Sequence, residues 1–377
     1  MKKDVSLEMV ARRAGVAKST VSFVLNNKDN VAPQTREKVL AALRELGYMK
    51  ETQFVPAAVP GVSSQEKKNI LVYVNPVVRE NEVVNNYMAG LRDYANEKGS
   101  LTFSFAMSST EVESSAQLDF LEQATQPQAI LMISINSDHP FMRQALKNRK
   151  PCLVINRVNE HPNLSYVSIN HKEAGHDAAR YLLSYGHHHF LIVVERYYNE
   201  TEITRLEGFL EELAASQPRA RVALVRRFKA PEQPDDYQAA TLTQMLKDGK
   251  IAFNSEVELR CPESLEVINT DGQLDENFMP TCLVAANDRT TVTVQTAIQA
   301  AGLSVPHDVS VMSLNSSSLS LSASPQITAI DELWQEQGYL AGQVLEDLID
   351  HKLIRCQKIQ IQHRLIERGS TARPRHS

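Results

Sequence analysis

The side chains able to do chemistry in this chain form three sets, and only one of them is arranged for use. The cysteines, Cys152, Cys261, Cys282 and Cys356, lie far apart with no C-x-x-C pair. That spacing predicts neither a disulfide framework nor a thiolate metal centre, and it fits a reducing, cytoplasmic compartment. His187, His188 and His189 are consecutive, so their side chains leave a regular element in different directions and do not converge on one ion. No metal site is expected there. The sequence contains no P-loop, no Rossmann glycine fingerprint and no Gly-x-Ser-x-Gly elbow, so no catalytic residues, no enzyme activity and no cofactor are expected. The third set is cationic. Residues 1–50 hold ten bases, Lys2, Lys3, Arg12, Arg13 and Lys18 among them, against five acids, a balance of +5. The whole chain carries −5, so the remainder carries −10. A small basic unit joined to an acidic body places any polyanion contact at the N-terminus.

Three short helices must carry those cations. Leu7, Val10, Ala11 and Ala14 recur at i, i+3, i+4 and i+7, which lines one face of a helix that Gly15 ends. From about Lys18 to Leu25, a second helix turns Val21, Val24 and Leu25 inward and leaves Lys18, Ser19, Ser22 and Phe23 outside. That outer face is small, polar and basic. Pro33 opens a third helix whose buried stripe is Val39, Ala42, Leu43 and Leu46 before Gly47 stops it. Residues 50–69 then lose helical period among Pro56, Pro60, Gly61, Ser63 and Ser64 and read as a linker.

From Ile70 onward the apolar runs Ile70–Val74, Ala129–Ile135, Leu153–Ile155, Phe190–Val194, Leu283–Ala285 and Val309–Val311 read as buried strands. They alternate with amphipathic stretches near 85–98, 114–124, 139–149, 172–185, 202–215, 237–248, 289–301 and 332–350. This alternation predicts parallel sheets flanked by helices. A chain of 377 residues, 42% apolar and 23% charged, has ample material for two or three cores. No apolar leader follows Met1-Lys2-Lys3, and no run reaches membrane-spanning length. Secretion and membrane insertion are therefore not expected.

The run Val10-Ala-Arg-Arg-Ala-Gly-Val-Ala-Lys-Ser-Thr-Val-Ser-Phe-Val-Leu-Asn26, followed by Val31-Ala-Pro-Gln-Thr-Arg-Glu-Lys-Val39 and Leu46-Gly-Tyr48, resembles the headpiece of the lac repressor/galactose repressor family. The body from Ile70 to Thr371 resembles that family's periplasmic-binding-protein-like core. Its best matches are Ser184-Tyr-Gly-His187, Arg205-Leu-Glu-Gly-Phe209, Ala286-Asn-Asp288, Gly302-Leu-Ser-Val-Pro-His-Asp-Val-Ser-Val311 and Arg368-Gly-Ser-Thr371. The resemblance implies an all-α helix-turn-helix headpiece over 1–49, the linker over 50–69, an α/β body of two doubly wound lobes over 70–371 and a tail over 372–377. It implies lobe crossings near Asn170, Ile330 and Arg355. The N-lobe would then be 70–169 with 331–355, and the C-lobe 170–330 with 356–371. Functionally it implies a transcription regulator, a repressor, that binds a partly palindromic double-stranded DNA operator as a homodimer under a small-molecule effector. Two other readings stand beside it. One is a DNA-binding dimer whose body is only a scaffold; the other is a cytoplasmic sugar-binding module, which leaves the +5 unit unexplained.

Carried over residue by residue, the resemblance turns Lys18, Ser19, Ser22 and Phe23 toward base edges and Thr20, Asn26, Thr35 and Arg36 toward phosphate. The side-chain chemistry suits those roles. Lys18 donates to guanine O6 and N7, the serines donate or accept, and Phe23 offers apolar contact to a thymine methyl. Phe23 stands where many relatives have arginine, which removes a bidentate guanine reader. Ala17 and Ala32 stand at the usual Ser or Thr caps of the second and third helices, each forfeiting about 1 kcal/mol. After Tyr48, relatives usually continue with Pro-Asn and a hinge helix that wedges the minor groove. Here Met49-Lys-Glu-Thr-Gln-Phe-Val-Pro-Ala-Ala-Val-Pro60 follows, and Pro56 and Pro60 oppose a continuous helix.

In the body, the resemblance places Ser134, Asn170, Arg205, Asn287, Asp288 and Asn315 at effector-binding positions between the lobes. Such a set suits a polyhydroxylated or anionic metabolite, with the planar fork of Arg205 as leading anchor. Leu314-Asn315-Ser316 replaces an acidic pair of the family, which makes a sugar acid or phosphate more acceptable. The segment of about 228–277 looks longer than in relatives, and the single Trp334 reads as packing.

Overall fold

The computed structural model describes residues 7–25, 35, 38–39, 42, 67–74, 81–107, 121–133, 135, 139–147, 150–159, 161–195, 200–216, 220–227, 262, 265–267, 278, 280–350 and 356–375. The chain divides into two compact units, Met1–Ser64 and Gln65–Ser377. In the first, α1 (Leu7–Ala14) and α2 (Lys18–Leu25) meet at Gly15. Gly15 holds φ +68°, a left-handed conformation that glycine adopts without a Cβ penalty. Val16 N–H returns to the Ala11 carbonyl at 3.0 Å to close the turn. Val10, Ala11, Val21, Val39 and Ala42 are buried, the predicted inner faces of three helices. Of the third helix, Thr35, Lys38, Val39 and Ala42 are described, and all are helical.

The second unit holds two sheets. One contains β1 (Lys68–Val74), β2 (Leu101–Met107), β3 (Ala129–Ile133), β4 (Cys152–Ile155), β5 (Ser165–Ile169) and β12 (Lys358–Ile361). Its order is β12-β5-β4-β3-β1-β2, and every pairing is parallel. The other contains β6 (His189–Glu195), β7 (Arg221–Arg227), β8 (Glu266–Val267), β9 (Cys282–Ala285), β10 (Ser310–Ser313), β11 (Thr328–Asp331) and β13 (Arg364–Ile366). Its order is β13-β11-β10-β9-β6-β7-β8, with β13 antiparallel to β11. Strands buried on both faces feed two cores per lobe. Ile70, Val72 and Val74 pack on one side of the first sheet, Leu71 and Tyr73 on the other. In each sheet the order reverses beside its first strand, β1 or β6, and doubly wound folds present ligand sites beyond the strand ends at such points.

The helices of this unit are α3 (Asn81–Lys98), α4 (Pro140–Lys147), α5 (His171–Ser184), α6 (Glu200–Ala215), α7 (Asp288–Ala300), α8 (Ser318–Ser322) and α9 (Trp334–Ile349). Trp334 opens α9 and packs in the core of the N-lobe. Helix α9 packs on α3, and α6 on α5.

The sheets move two predicted boundaries. The body's first strand starts at Lys68 rather than Ile70. More consequentially, β12 belongs to the N-lobe sheet and β13 to the C-lobe sheet. The third crossing therefore follows Ile361 instead of falling near Arg355, so Lys358–Ile361 is N-lobe and not C-lobe. The expected tail at 372–377 also joins the C-lobe in its described part. Ala372 N–H donates to Ser310 Oγ at 3.0 Å, and Arg375 pairs with Asp308 at 3.2 Å. Residues 50–66 of the expected linker, the helix expected near 237–248, and most of 228–277 lie outside the described residues.

Candidate functional site

On the headpiece, Lys18 and Ser19 are exposed at the N-terminal end of α2, and Thr20 and Thr35 are half-buried. Exposed side chains at the start of the second helix are what groove reading requires. Lys18 Nζ is held by Glu8 at 2.9 Å across the turn, and both side chains are well exposed, so water and salt screen the pair. The backbone of α2 includes Ser22 and Phe23, whose side chains lie outside the described residues, as do Asn26 and Arg36.

Between the lobes, the chain builds its site around Glu332, on the crossover from β11 to α9. Leu333 next to it takes φ +56°, a left-handed conformation that costs a leucine roughly 1 kcal/mol or more, and its N–H donates to Asp331 Oδ1 at 2.9 Å. Gln337 Nε2 donates to the Glu332 carbonyl at 2.7 Å. So oriented, the carboxylate divides its oxygens between the lobes. Oε1 meets Arg205 Nη1 of α6 at 2.8 Å, and Oε2 accepts from Asn156 Nδ2, just after β4, at 3.1 Å. Asn156 is itself left-handed at φ +61°. Arg205 and Glu332 are each only 2% exposed. Further bridges join the lobes, among them Arg157 Nη1 to Glu200 at 3.2 Å, Arg364 to Glu336 at 3.6 Å, and Ser318 N–H and hydroxyl to Glu82 at 2.8 and 2.6 Å.

Arg205 Nη1 also donates to His171 Nδ1 at 3.0 Å. A guanidinium only donates, so His171 carries its proton on Nε2, which faces Ser168 Oγ at 3.3 Å. Burial, reinforced by the Arg205 and Arg157 cations, holds His171 well below its usual pKa of 6.5. His187 is pushed down to about 4, chiefly by burial. Its Nε2 donates to the Ala372 carbonyl at 2.9 Å, and its Nδ1 faces the Thr281 hydroxyl at 2.9 Å, which ties the C-terminal segment to the lobe. Both histidines bind fewer protons folded than unfolded. Their contribution is complete above pH 6.5 and is lost as pH falls below it, through about 4 for His187. Urea unfolding between pH 6.5 and about 5 should show stability dropping by up to about 1.4 kcal/mol per pH unit per histidine. His187→Gln should remove about half of that slope; an unchanged slope would refute the assignment.

The residues predicted at the cleft sort into two clusters. Asn287 caps α7, its Oδ1 accepting from Thr290 N–H at 3.0 Å, and its Nδ2 donates to Glu202 at 3.2 Å. Asp288 N–H donates to Asn315 Oδ1 at 2.7 Å. Asp288 Oδ2 accepts from Ser317 N–H at 2.7 Å, from the Ser317 hydroxyl, and from Ser320 Oγ at 3.1 Å. Asn287, Asp288 and Asn315 thus clasp two loops of the C-lobe. Asn170 caps α5 by accepting from Glu173 N–H at 3.1 Å and borders a pocket of about 210 Å³ with Arg157, His171, Thr201 and Thr204. Arg205 touches that second cluster through His171. A larger depression of about 410 Å³, by Glu122 and Lys150, is a shallow surface feature of the N-lobe away from the crossover. Ser134 lies outside the described residues. Sequence reasoning did not single out Glu332, Asn156, Arg157 or His171.

The family profile described as bacterial regulatory proteins, lacI family, matches residues 6–51. The periplasmic binding protein-like domain matches residues 179–371. Catabolite control protein A of Priestia megaterium is 23% identical over 373 residues, covering 98% of this chain and 99% of the relative. The transcriptional repressor PurR of Aliivibrio fischeri is 23% identical over 376 residues, covering 97% and 98%. Among solved structures, the regulator CelR in complex with cellobiose superposes with a TM-score of 0.60 at 22% identity, over 97% of this chain and 99% of that one. The lac repressor dimer bound to operator and the anti-inducer ONPF superposes with a TM-score of 0.61 at 20% identity, over 98% and 100%. A helix-turn-helix in a basic unit ahead of two doubly wound lobes is the architecture these matches share, and the chain belongs to the lacI family of bacterial DNA-binding transcription regulators.

Proposed function

We propose that the protein is a cytoplasmic repressor that binds a partly palindromic duplex as a homodimer, with a small polar metabolite between the lobes controlling its affinity. The carrying observation is the exposed Lys18 and Ser19 at the start of α2, in a unit of charge +5 joined to a body of −10. One headpiece offers few base contacts, so a two-fold pair is needed for specificity. Relatives named as repressors and a lac repressor dimer on its operator support the reading, as does a cellobiose complex of a similar fold. Among the described residues no helix is long and apolar enough to cross a membrane. Lys18, Ser19, Ser22 and Phe23 read bases in this proposal, and Thr20, Asn26, Thr35 and Arg36 hold phosphate. Asn170, Arg205, Asn287, Asp288, Asn315 and Ser134 surround the effector, the first five directly or by fixing the loops that do.

Selection of bound duplexes followed by salt titration tests the DNA half. Lys18→Ala should relax base preference at one position per half-site, by about 1–3 kcal/mol of discrimination. Arg36→Ala should weaken all duplexes alike and lower the salt slope by about 1. A salt-insensitive interaction, or one saturating at one protomer per duplex, would overturn it.

A further inference from the structure

The charged crossover carries information on what kind of ligand the lobes accept, on the reading that an effector binds between them. Arg205 would ordinarily attract an anion, because a guanidinium fork matches carboxylate and phosphate. Here one arm of the fork, Nη1, is already met by the Glu332 carboxylate at 2.8 Å, and the neighbouring Arg157 is met by Glu200 at 3.2 Å. Glu202, on the same turn of α6, receives Asn287 at 3.2 Å. Each of the two guanidiniums is thus already paired with a carboxylate. An incoming anion would have to sit against Glu332 or displace it, and like charges brought together in a desolvated site oppose binding strongly.

The unmatched hydrogen-bonding atoms point the same way. Around this pair, Arg205 Nε, Arg157 Nε, Asn156 Oδ1 and Gln337 Oε1 are buried with no protein partner. The Tyr87 hydroxyl meets the Asn156 side chain and lies in the field of Glu332, Arg205 and Arg157, so the set is local to the crossover. Two of these atoms only donate and two only accept. A carboxylate offers acceptors alone and leaves Asn156 and Gln337 unmet, while a phosphate ion keeps a P–OH donor near neutral pH and is opposed by its charge against Glu332. An ammonium offers donors alone and leaves both arginines unmet. A hydroxyl does both. Asn156 belongs to the N-lobe and Arg205 to the C-lobe, so a ligand that meets both couples occupancy to lobe arrangement.

We infer that Glu332 is a specificity-determining residue, an internal counter-ion that closes Arg205 to anions, so that the ligand taken at the crossover is uncharged and rich in hydroxyls. The test uses inorganic phosphate as the anion probe on the full chain, with sodium chloride at equal ionic strength as reference. It needs neither DNA nor an identified effector, so its failure is distinguishable from failure of the repressor reading. Thermal unfolding is followed for wild type, Glu332→Gln and the double variant Arg205→Met/Glu332→Gln. Wild type should show no phosphate-specific rise in Tm. Glu332→Gln should show a saturable rise, with phosphate affinity about tenfold to a hundredfold above wild type, and the double variant should lose it. Should Glu332→Gln fold only when phosphate is present, that rescue is the same result in stronger form. Equal phosphate responses in wild type and Glu332→Gln, or no gain of Glu332→Gln over the double variant, would overturn the inference. So would stabilisation of wild type by glucose 6-phosphate or gluconate in preference to glucose.

Discussion

Arg205→Met should lower the unfolding free energy of the body by about 3–5 kcal/mol, because it leaves the Glu332 carboxylate buried without its cation. The cost follows from burial. Arg205 and Glu332 are each 2% exposed, so water cannot replace the lost partner. Asn156 Nδ2 at 3.1 Å remains as the donor to one oxygen but neutralises nothing. Adding Glu332→Gln should restore most of the loss, since a buried pair replaced by neutral groups of similar volume is often near neutral in stability. Trp334, the only tryptophan, is buried two residues from Glu332, so its fluorescence follows urea unfolding of this region. A double-mutant cycle then isolates the pair. If the double variant loses as much as the two single losses combined, Arg205 and Glu332 act independently and the crossover is not organised around their pair. The same reasoning affects tests of effector binding: Arg205→Ala alone disturbs fold and ligand site together, and the charge-balanced double variant is the cleaner comparison.

How far the sequence carried this reading depended on whether a feature was periodic or relational. The inner faces of α1 and α2 and the strands β1, β3, β4, β6 and β9 are apolar runs, and their residues announce burial directly. Strand β5 reads Ser165-Tyr-Val-Ser-Ile169, fully buried yet interrupted by serines. Ser165 Oγ accepts from Gln357 N–H at 3.0 Å, so tertiary hydrogen bonding replaces the apolar signal. Strands β12 and β13 are short, and their residues are exposed or half-buried with none in the core, which is why the expected third crossing falls too early. The family pattern places Asp288 and Asn315 at the effector, whereas the inward use of Asp288 by Ser317 and Ser320 depends on loops that meet only in the fold. Glu332 was invisible for a plainer reason: its partners, Asn156 and Arg205, are 176 and 127 residues away in sequence, and a glutamate before a helix reads as solvated. Only the left-handed Leu333 and the crossing of lobes turn it inward.

Gly175→Ala should be among the most damaging single-methyl additions in the body, costing about 3 kcal/mol or more. Helices α5 and α6 cross so closely that a Cβ at Gly175 would lie 1.9 Å from the Arg205 carbonyl oxygen and 2.7 Å from Phe209 N. The obstacle on the other helix is Gly208, where a Cβ would meet the Lys172 carbonyl oxygen at 2.1 Å. Backbone faces backbone in both directions, so no side-chain rotation relieves the clash, and the helices must separate by more than 1 Å to reach ordinary contact distance. Separation loosens the packing of Leu206, Phe209 and Leu210 in the C-lobe core. It also shifts Arg205 at the crossover, since the obstructing carbonyl belongs to that residue. The N-lobe repeats the arrangement at Gly90 and Gly338, where the nearest atoms are the backbone oxygens of Gln335 at 1.9 Å and Tyr87 at 2.1 Å. Gly342 provides the contrast on α9. The atoms nearest its added Cβ belong to the Tyr94 side chain, at 2.9–3.1 Å, about 1 Å farther than the backbone oxygens at the other glycines, so Gly342→Ala should cost less. Thermal unfolding of Gly175→Ala, Gly338→Ala and Gly342→Ala in the full chain ranks these positions directly. Equal melting temperatures for all three would mean that the crossings have slack. The predicted order instead places Gly175 and Gly338 well below Gly342. In Gly175→Ala the coupling between Arg205 and Glu332 should also shrink when the double-mutant cycle is repeated in that background, because the methyl group displaces the strand of contacts that holds the guanidinium against its carboxylate.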